Sequence, residues 1–185
     1  MSRFVDRGAI FAGWVGVGMA VTIGISFLLV IPIEPIVWLL SPFAGLLIGY
    51  YANQRSNRVA GPWRRIIANG LYAGLLTAIT FALFILAVKA LFFFADSGYR
   101  DVSQGGQITC STGADCVYRR YMDSGRAAEF AAAGVTDAAS FTSFYWAQQF
   151  STVLTLMGLT LGGAALGAVV YGVARPRRTG LEVVT

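Results

Sequence analysis

The sequence predicts an all-α integral membrane protein with four transmembrane helices, arranged as two tandem hairpins. Of its 185 residues, 56% are apolar and only 12% are charged, whereas about 25% of the residues of a soluble domain are charged. Four segments also contain the roughly 20 apolar residues that are needed to cross a bilayer. We expect all four to be helices, because a strand exposed to lipid would leave backbone groups without hydrogen-bond partners.

The predicted spans cover residues 8–30, about 33–52, 66–94 and about 144–174. The first and the fourth contain no charged residue, and the third is interrupted only by Lys89. Pro42 lies within the second span and is expected to kink it. We expect the first span to be retained, because its apolar run is longer than the core of a signal peptide and no small-residue cleavage site follows it.

Arginines predict the orientation of these spans. They precede the first span, fill the loop between the second and third, and follow the fourth: Arg3, Arg7, Arg55, Arg58, Arg64, Arg65, Arg175, Arg177 and Arg178. Basic residues in short flanking segments stay in the cytoplasm. Both termini are therefore predicted to be cytoplasmic, and the chain is expected to lie in a bacterial cytoplasmic membrane. Residues 1–185 then form one membrane domain, with the loop 95–143 as an outer subdomain.

This loop of about 50 residues is expected to be partly helical. Its composition predicts a helix over residues 117–133 that Gly134 stops, and Thr136 or Asp137 can cap a helix that continues into the fourth span. Cys110 and Cys116 both lie in the loop. A structural disulfide between them is the predicted state in an oxidising exterior.

A redox function for these cysteines is the alternative. Four predicted spans with Cys110 and Cys116 on the outer side resemble the bacterial disulfide-bond-forming protein B family, and this resemblance implies a thiol oxidase that uses a quinone. That family carries a Cys-x-x-Cys pair in its first outer loop, where this chain has no cysteine. An electron relay through two cysteine pairs therefore cannot form within this chain, and the structural bridge is preferred.

The chain has 22 glycines, and those within the predicted spans include stripes in which small residues recur at every fourth position. In a bilayer such stripes let helix backbones approach closely. The fourth span carries two of them, which is more than a simple bundle needs, so we expect a contact with another membrane subunit through Gly163 and Gly167. Alternatively, the stripes only hold the bundle together. Their residues are Gly16, Ala20, Gly24, Gly45, Gly49, Gly70, Gly74, Gly158, Gly162, Gly163 and Gly167.

Ionisable residues are scarce in the spans. Lys89 lies near the outer end of the third span, and Glu34 lies in the short outer turn between Pro32 and Pro35. A Glu34–Lys89 ion pair at the outer face is therefore predicted, with the Lys89 stem extending to the interface. No acid or base lies near the middle of a span, which argues against a carrier coupled to ions.

Residue types restrict the function classes. The chain has no histidine, so it offers no His-ligated metal or haem and no Ser-His or Cys-His pair, and we expect neither an enzyme nor a cofactor. The positive charge flanks the spans, so nucleic-acid binding is not expected. The prediction is a non-catalytic accessory subunit of a respiratory, photosynthetic or transport complex. The alternative is an independent carrier or channel for a neutral or lipophilic solute.

The expected partners are the lipid bilayer and other integral membrane subunits. A soluble partner on the outer side is a further option, because the predicted loop helix is rich in charge. Its charged residues form either a solvated helix surface or a docking surface: Arg119, Arg120, Asp123, Arg126 and Glu129.

Overall fold

The structure, a computed structural model, describes residues 4–30, 34–57, 61–95 and 113–174. Within these ranges the chain is helical and contains no strand. The α-helices are α1 (Arg7–Gly24), α2 (Glu34–Arg55), α3 (Trp63–Phe94), α4 (Ala114–Tyr121), α5 (Ala127–Ala132) and α6 (Ala138–Ala174). The last turns of the first span, Ile25–Val30, widen into a π-helix.

Four helices are long and apolar enough to cross a membrane: Arg7–Leu29, Pro35–Arg55, Trp63–Phe94 and Ala138–Ala174. This confirms the predicted all-helical chain with four candidate spans. The third and fourth contain 32 and 37 residues, which corresponds to about 48 and 56 Å at the rise of an α-helix. Both are therefore longer than the ~30 Å of hydrocarbon that a helix has to cross.

Helix α6 begins at Ala138, earlier than the predicted start of the fourth span near residue 144, because a hydrogen-bonded cap precedes it. The carboxylate of Asp137 accepts the backbone N–H of Ser140 at 2.7 Å, and the Ser140 hydroxyl oxygen accepts the backbone N–H of Asp137 at 3.1 Å. These reciprocal bonds satisfy N–H groups that the first turn of a helix leaves unpaired. The predicted continuation of this helix into the fourth span is confirmed.

Helix α2 continues through Pro42, and a neighbouring hydroxyl compensates for the missing hydrogen bond. A proline has no N–H, so the carbonyl four residues earlier, that of Trp38, loses its helical donor. The Ser41 hydroxyl donates to this carbonyl at 3.3 Å and is fully buried. A carbonyl within a largely apolar helix is thereby satisfied by the chain itself.

The chain divides into two compact units. The first unit comprises the described residues up to Ala82 and those from Thr155 onward. It contains α1, α2, the first part of α3 and the last part of α6. Its core is built largely from small side chains, among them Ala12, Ala20, Ala73, Ala164 and Ala168, all fully buried.

The second unit, Leu83–Leu154, has an aromatic core. It includes the end of α3 and the beginning of α6 as well as the predicted loop subdomain. Phe130 and Phe141 meet edge to face with ring centroids 5.4 Å apart. The buried core consists of Phe93, Val117, Phe130, Val135, Phe141 and Tyr145. Aromatic pairs of this kind stabilise a core beyond the area that they bury.

The loop helix predicted over 117–133 is two helices in the structure, which corrects that prediction. Gly125 has a φ of 84° and interrupts the helical path between α4 and α5. Only glycine adopts such a backbone conformation at little cost. Gly134, with a φ of 72°, follows the end of α5, as predicted.

Candidate functional site

Helices α2 and α6 approach each other closely in the first unit. A Cβ built on Gly45 would overlap the backbone carbonyl of Thr160, and one built on Gly163 would overlap the carbonyl of Pro42. Each helix therefore presents a glycine to the backbone of the other. Contact at this distance is possible only because neither position has a side chain.

The same arrangement repeats one turn further along both helices. Gly49 lies against the carbonyl of Ala164, and Gly167 lies against the carbonyl of Leu46. Both predicted stripes, the one on α2 and the second one on α6, thus pack against each other within the chain. Gly163 and Gly167 are occupied by α2 and are not available to another subunit.

Ala164 is the residue at which three helices meet. Its backbone contacts Gly45 and Gly49 of α2, and its methyl group fits against Gly74 of α3. Gly70 of α3 packs one turn further along α6, where a built Cβ would lie 2.7 Å from the Ala168 methyl. Sequence reasoning missed Ala164. Its position one residue after Gly163 placed it beside the stripe, but only the packing shows that it is the common contact.

The stripe of α1 is also buried. A Cβ built on Gly16 would overlap the Thr77 hydroxyl of α3 and lie 3.1 Å from Ile48 of α2. Ala20 packs with Ala44 and Phe81, and Gly24 is buried. Helix α1 therefore packs between α2 and α3 through its small residues.

Gly158 and Gly162 differ from these stripes. A Cβ built on either residue has no neighbour within 4 Å in the described part of the chain. The face continues to Leu166, which is 53% exposed, and Leu159 beside it is 40% exposed. Helix α6 therefore uses one small-residue face inside the chain and leaves the other uncovered by the described residues. We call this open surface of Gly158, Gly162 and their leucine neighbours the open face of α6.

A buried polar cluster joins the beginning of α1 to α2 and α3. The Asn69 amide nitrogen donates to the Asp6 carboxylate at 2.8 Å and to the Asn53 amide oxygen at 3.4 Å. Asn53 in turn donates to the carbonyls of Gly49, at 3.1 Å, and Ile66, at 2.9 Å. Both asparagines are fully buried. Amide side chains in this setting fix the register of neighbouring helices, because an unpaired partner would be costly to bury.

Asp6 also lies 3.8 Å from the guanidinium of Arg65. Sequence analysis did not predict this cluster. Asp6 precedes the apolar run of the first span, and the sequence separates it from Asn69 by 63 residues. The available signal was the presence of two asparagines, Asn53 and Asn69, near the ends of two otherwise apolar helices.

The predicted Glu34–Lys89 ion pair stays a prediction, because the side chain of Glu34 lies outside the described residues. Lys89 is partly buried on α3. The predicted disulfide between Cys110 and Cys116 also stays a prediction. Cys116 lies on α4 and is 6% exposed, whereas Cys110 lies outside the described residues.

An ordered ion pair lies on the charged helix surface of the second unit. Arg126 binds both carboxylate oxygens of Glu129, at 2.8 and 2.7 Å, and its guanidinium lies 4.9 Å from the centre of the Tyr121 ring. These hydrogen bonds hold the pKa of the exposed Glu129 carboxyl below its usual range and raise the pKa of Arg126. Burial raises the pKa of Tyr121. The pair shields the aromatic core from solvent.

Among the described residues, no group of three or more His, Cys, Asp or Glu side chains is placed to hold a metal ion. Comparison of the chain with protein-family models, with curated proteins and with solved structures finds no match. The open face of α6 and the buried polar cluster are therefore interpreted from their own geometry.

Proposed function

We propose that the chain is a non-catalytic integral subunit of a larger membrane assembly, and that it contacts another membrane subunit through the open face of α6. The support for this proposal is a difference between the glycines in their neighbours. The stripe glycines of α2 and α3, and the pair Gly163 and Gly167, have close neighbours within the chain, whereas Gly158 and Gly162 have none among the described residues.

Glycines on an uncovered helix face have a physical consequence in a bilayer. Lipid tails are as apolar as leucine, so helices associate there through close packing and not through a hydrophobic driving force. A small-xxx-small face such as Gly158 and Gly162 offers a flat surface that a second helix can approach closely. The α2–α6 contact of this same chain illustrates how such a surface is filled.

The proposed topology has both termini in the cytoplasm and the loop 95–143 on the outer side, with the spans as two tandem hairpins in a bacterial cytoplasmic membrane. The basic residues support it. Arg7 begins α1, Arg55 ends α2, and Arg64 and Arg65 lie in the first turn of α3. Reporter fusions after Arg65 should therefore score as cytoplasmic, and a fusion near Gly125 should score as external. A cytoplasmic score near Gly125 would contradict this topology.

The subunit proposal is tested by solubilising native membranes in mild detergent and identifying what co-migrates with the chain. Wild-type protein should run with a larger assembly, and Gly158→Leu or Gly162→Leu should run as a small free species. Neither variant should lose thermal stability, because a Cβ at either position has no neighbour within 4 Å among the described residues. Val173→Leu is the matched control, since Val173 is 74% exposed.

The subunit proposal fails if the wild-type protein runs alone in mild detergent. If that lone protein also moves a neutral or lipophilic solute across liposomes, the chain is an independent carrier instead.

A further inference from the structure

At the end of the first unit where α1 begins, one arginine lies over an exposed aromatic ring and a second arginine lies one helical turn from that ring along α1. A Cβ built on Gly8 would stand 2.6 Å from the backbone carbonyl carbon of Arg55. The first turn of α1 therefore lies directly against the last turn of α2. The Arg55 guanidinium extends over the Phe11 ring of α1, 5.3 Å from its centre, in the geometry of a cation–π contact.

Arg7 lies one helical turn before Phe11 on α1. Residues four and seven positions apart share one face of a helix, so Arg7, Phe11 and Trp14 form a column along α1. Arg7 is exposed and Trp14 is 68% exposed. The nearby carboxylate of Asp6 is bound to the Asn69 amide. The ion pairs found among the described residues include neither Arg7 nor Arg55.

The column formed by Arg7, Phe11 and Trp14 ends at an open space beside Gly18, which we call the notch. Gly18 lies one turn beyond Trp14, and a Cβ built on it has no neighbour within 4 Å in the described part of the chain. Ile25, 43% exposed, lies on the far side of the notch. The surface thus combines two guanidinium groups at the end of the helix with an apolar slot that runs away from them.

We propose that Arg7 and Arg55 bind the phosphate of an anionic phospholipid, whose acyl chain lies along Phe11, Trp14 and the notch at Gly18. Guanidinium groups bind phosphate oxygens through strong, charge-assisted hydrogen bonds. Two of them on adjoining helix ends favour a lipid with net negative charge over a zwitterionic one, whose ammonium they repel. This binding requires that α1 lies in a bilayer, but it does not depend on the proposed role as a subunit.

The test measures which lipid quenches Trp14. The full-length protein is reconstituted in vesicles with increasing fractions of brominated phosphatidylglycerol or brominated phosphatidylcholine. The Trp14 signal is taken as the difference between wild type and Trp14→Phe. One basic residue near an anionic lipid surface contributes about 1 kcal/mol, or roughly five-fold in affinity. We therefore expect a preference for phosphatidylglycerol of about 25-fold, which Arg7→Gln or Arg55→Gln lowers about five-fold and the double variant abolishes.

Arg64→Gln is the matched control, because Arg64 is an exposed arginine of the first turn of α3 and should leave the preference unchanged. An equal loss in Arg64→Gln, or an undiminished preference in the double variant, overturns the proposal. Displacement of the lipid by millimolar glycerol phosphate would show instead that the site takes a soluble phosphate.

Salt provides a second measurement in case the arginine variants fold poorly. At about 1 M salt the screening length falls to about 3 Å, and the wild-type preference should largely disappear. A preference that persists at this salt concentration contradicts the proposal. A protein that runs alone in detergent but prefers the anionic lipid refutes the subunit function and supports this inference.

Discussion

The side-chain amide of Asn69 holds Asp6 at two points. Its oxygen accepts the backbone N–H of Asp6 at 3.1 Å, and its nitrogen donates to the Asp6 carboxylate at 2.8 Å. Asp6 is the residue that precedes α1, so one side chain of α3 ties down the beginning of another helix. Through Asn53 the same amide also reaches α2. Three helices are therefore aligned at this end by a single buried group.

Asn69→Leu should destabilise the first unit, because it leaves the N–H of Asp6, its carboxylate and the Asn53 oxygen without this partner. The loss of a buried polar partner costs about 1–3 kcal/mol in the free energy of unfolding. Denaturant titration of the protein in detergent, followed by tryptophan fluorescence, measures this change in the free energy of unfolding. Thr80→Val is the control, since the Thr80 hydroxyl bonds only to a carbonyl of its own helix. A comparable loss in Thr80→Val would contradict the importance of the cluster.

Ala164→Leu should be more damaging than a leucine on the open face of α6. The added atoms at Ala164 meet the glycines of α2 and α3, and overpacking of a close contact typically costs about 1–3 kcal/mol. The midpoint of thermal unfolding in detergent should fall for Ala164→Leu and stay unchanged for Gly158→Leu. Equal midpoints in the two variants would show that α2, α3 and α6 do not meet at Ala164.

The first turn of α6 should open as the pH becomes acidic. Hydrogen bonds from the N–H and hydroxyl of Ser140 hold the pKa of Asp137 below its ordinary value. The cap therefore contributes its full stabilisation above the aspartate pKa of the unfolded chain, about 4, and loses it as the pH falls through the lowered folded value. Amide protection of Ser140, corrected for the intrinsic exchange rate, should decline in that window. In Asp137→Asn, whose side chain caps without titrating, protection should be independent of pH there.

Alkylation tests the predicted pairing of the two cysteines. If Cys110 and Cys116 form a disulfide, intact protein treated with a thiol reagent in the absence of reductant should show no labelled cysteine. Both should label after reduction and unfolding. Cys116 is 6% exposed, so the labelling has to be done under denaturing conditions for its failure to be meaningful. Labelling of either residue before reduction would contradict the disulfide.

Composition was sufficient to predict the four helices, because long runs such as the apolar part of α3 have few other stable arrangements in lipid. Periodicity also identified the glycines at which backbones meet. It could not assign partners, since a small residue every fourth position describes one helix and not its neighbour. Gly163 and Gly158 both belong to a small-residue stripe, yet only Gly163 lies against another helix, at the backbone carbonyl of Pro42.

Contacts between residues far apart in the sequence escaped prediction for a similar reason. Asp6 and Asn69 each appear as a lone polar residue at the edge of an apolar run, and nothing local pairs them. The break at Gly125 was missed because alanine-rich and charged residues on both sides favour helix, and a single glycine is tolerated within many helices. The positive φ of Gly125 becomes evident only in the folded structure.

The mutual glycine contact of α2 and α6 also sets an order of events during biosynthesis. Gly163 is synthesised about 120 residues after Gly45, which takes about 6 to 24 seconds at the usual rate of translation. If α2 inserts while the chain is being translated, its glycine face lies in the bilayer during this interval without its final neighbour. Lipid or an insertion chaperone would then cover this face of α2 until the last span leaves the ribosome.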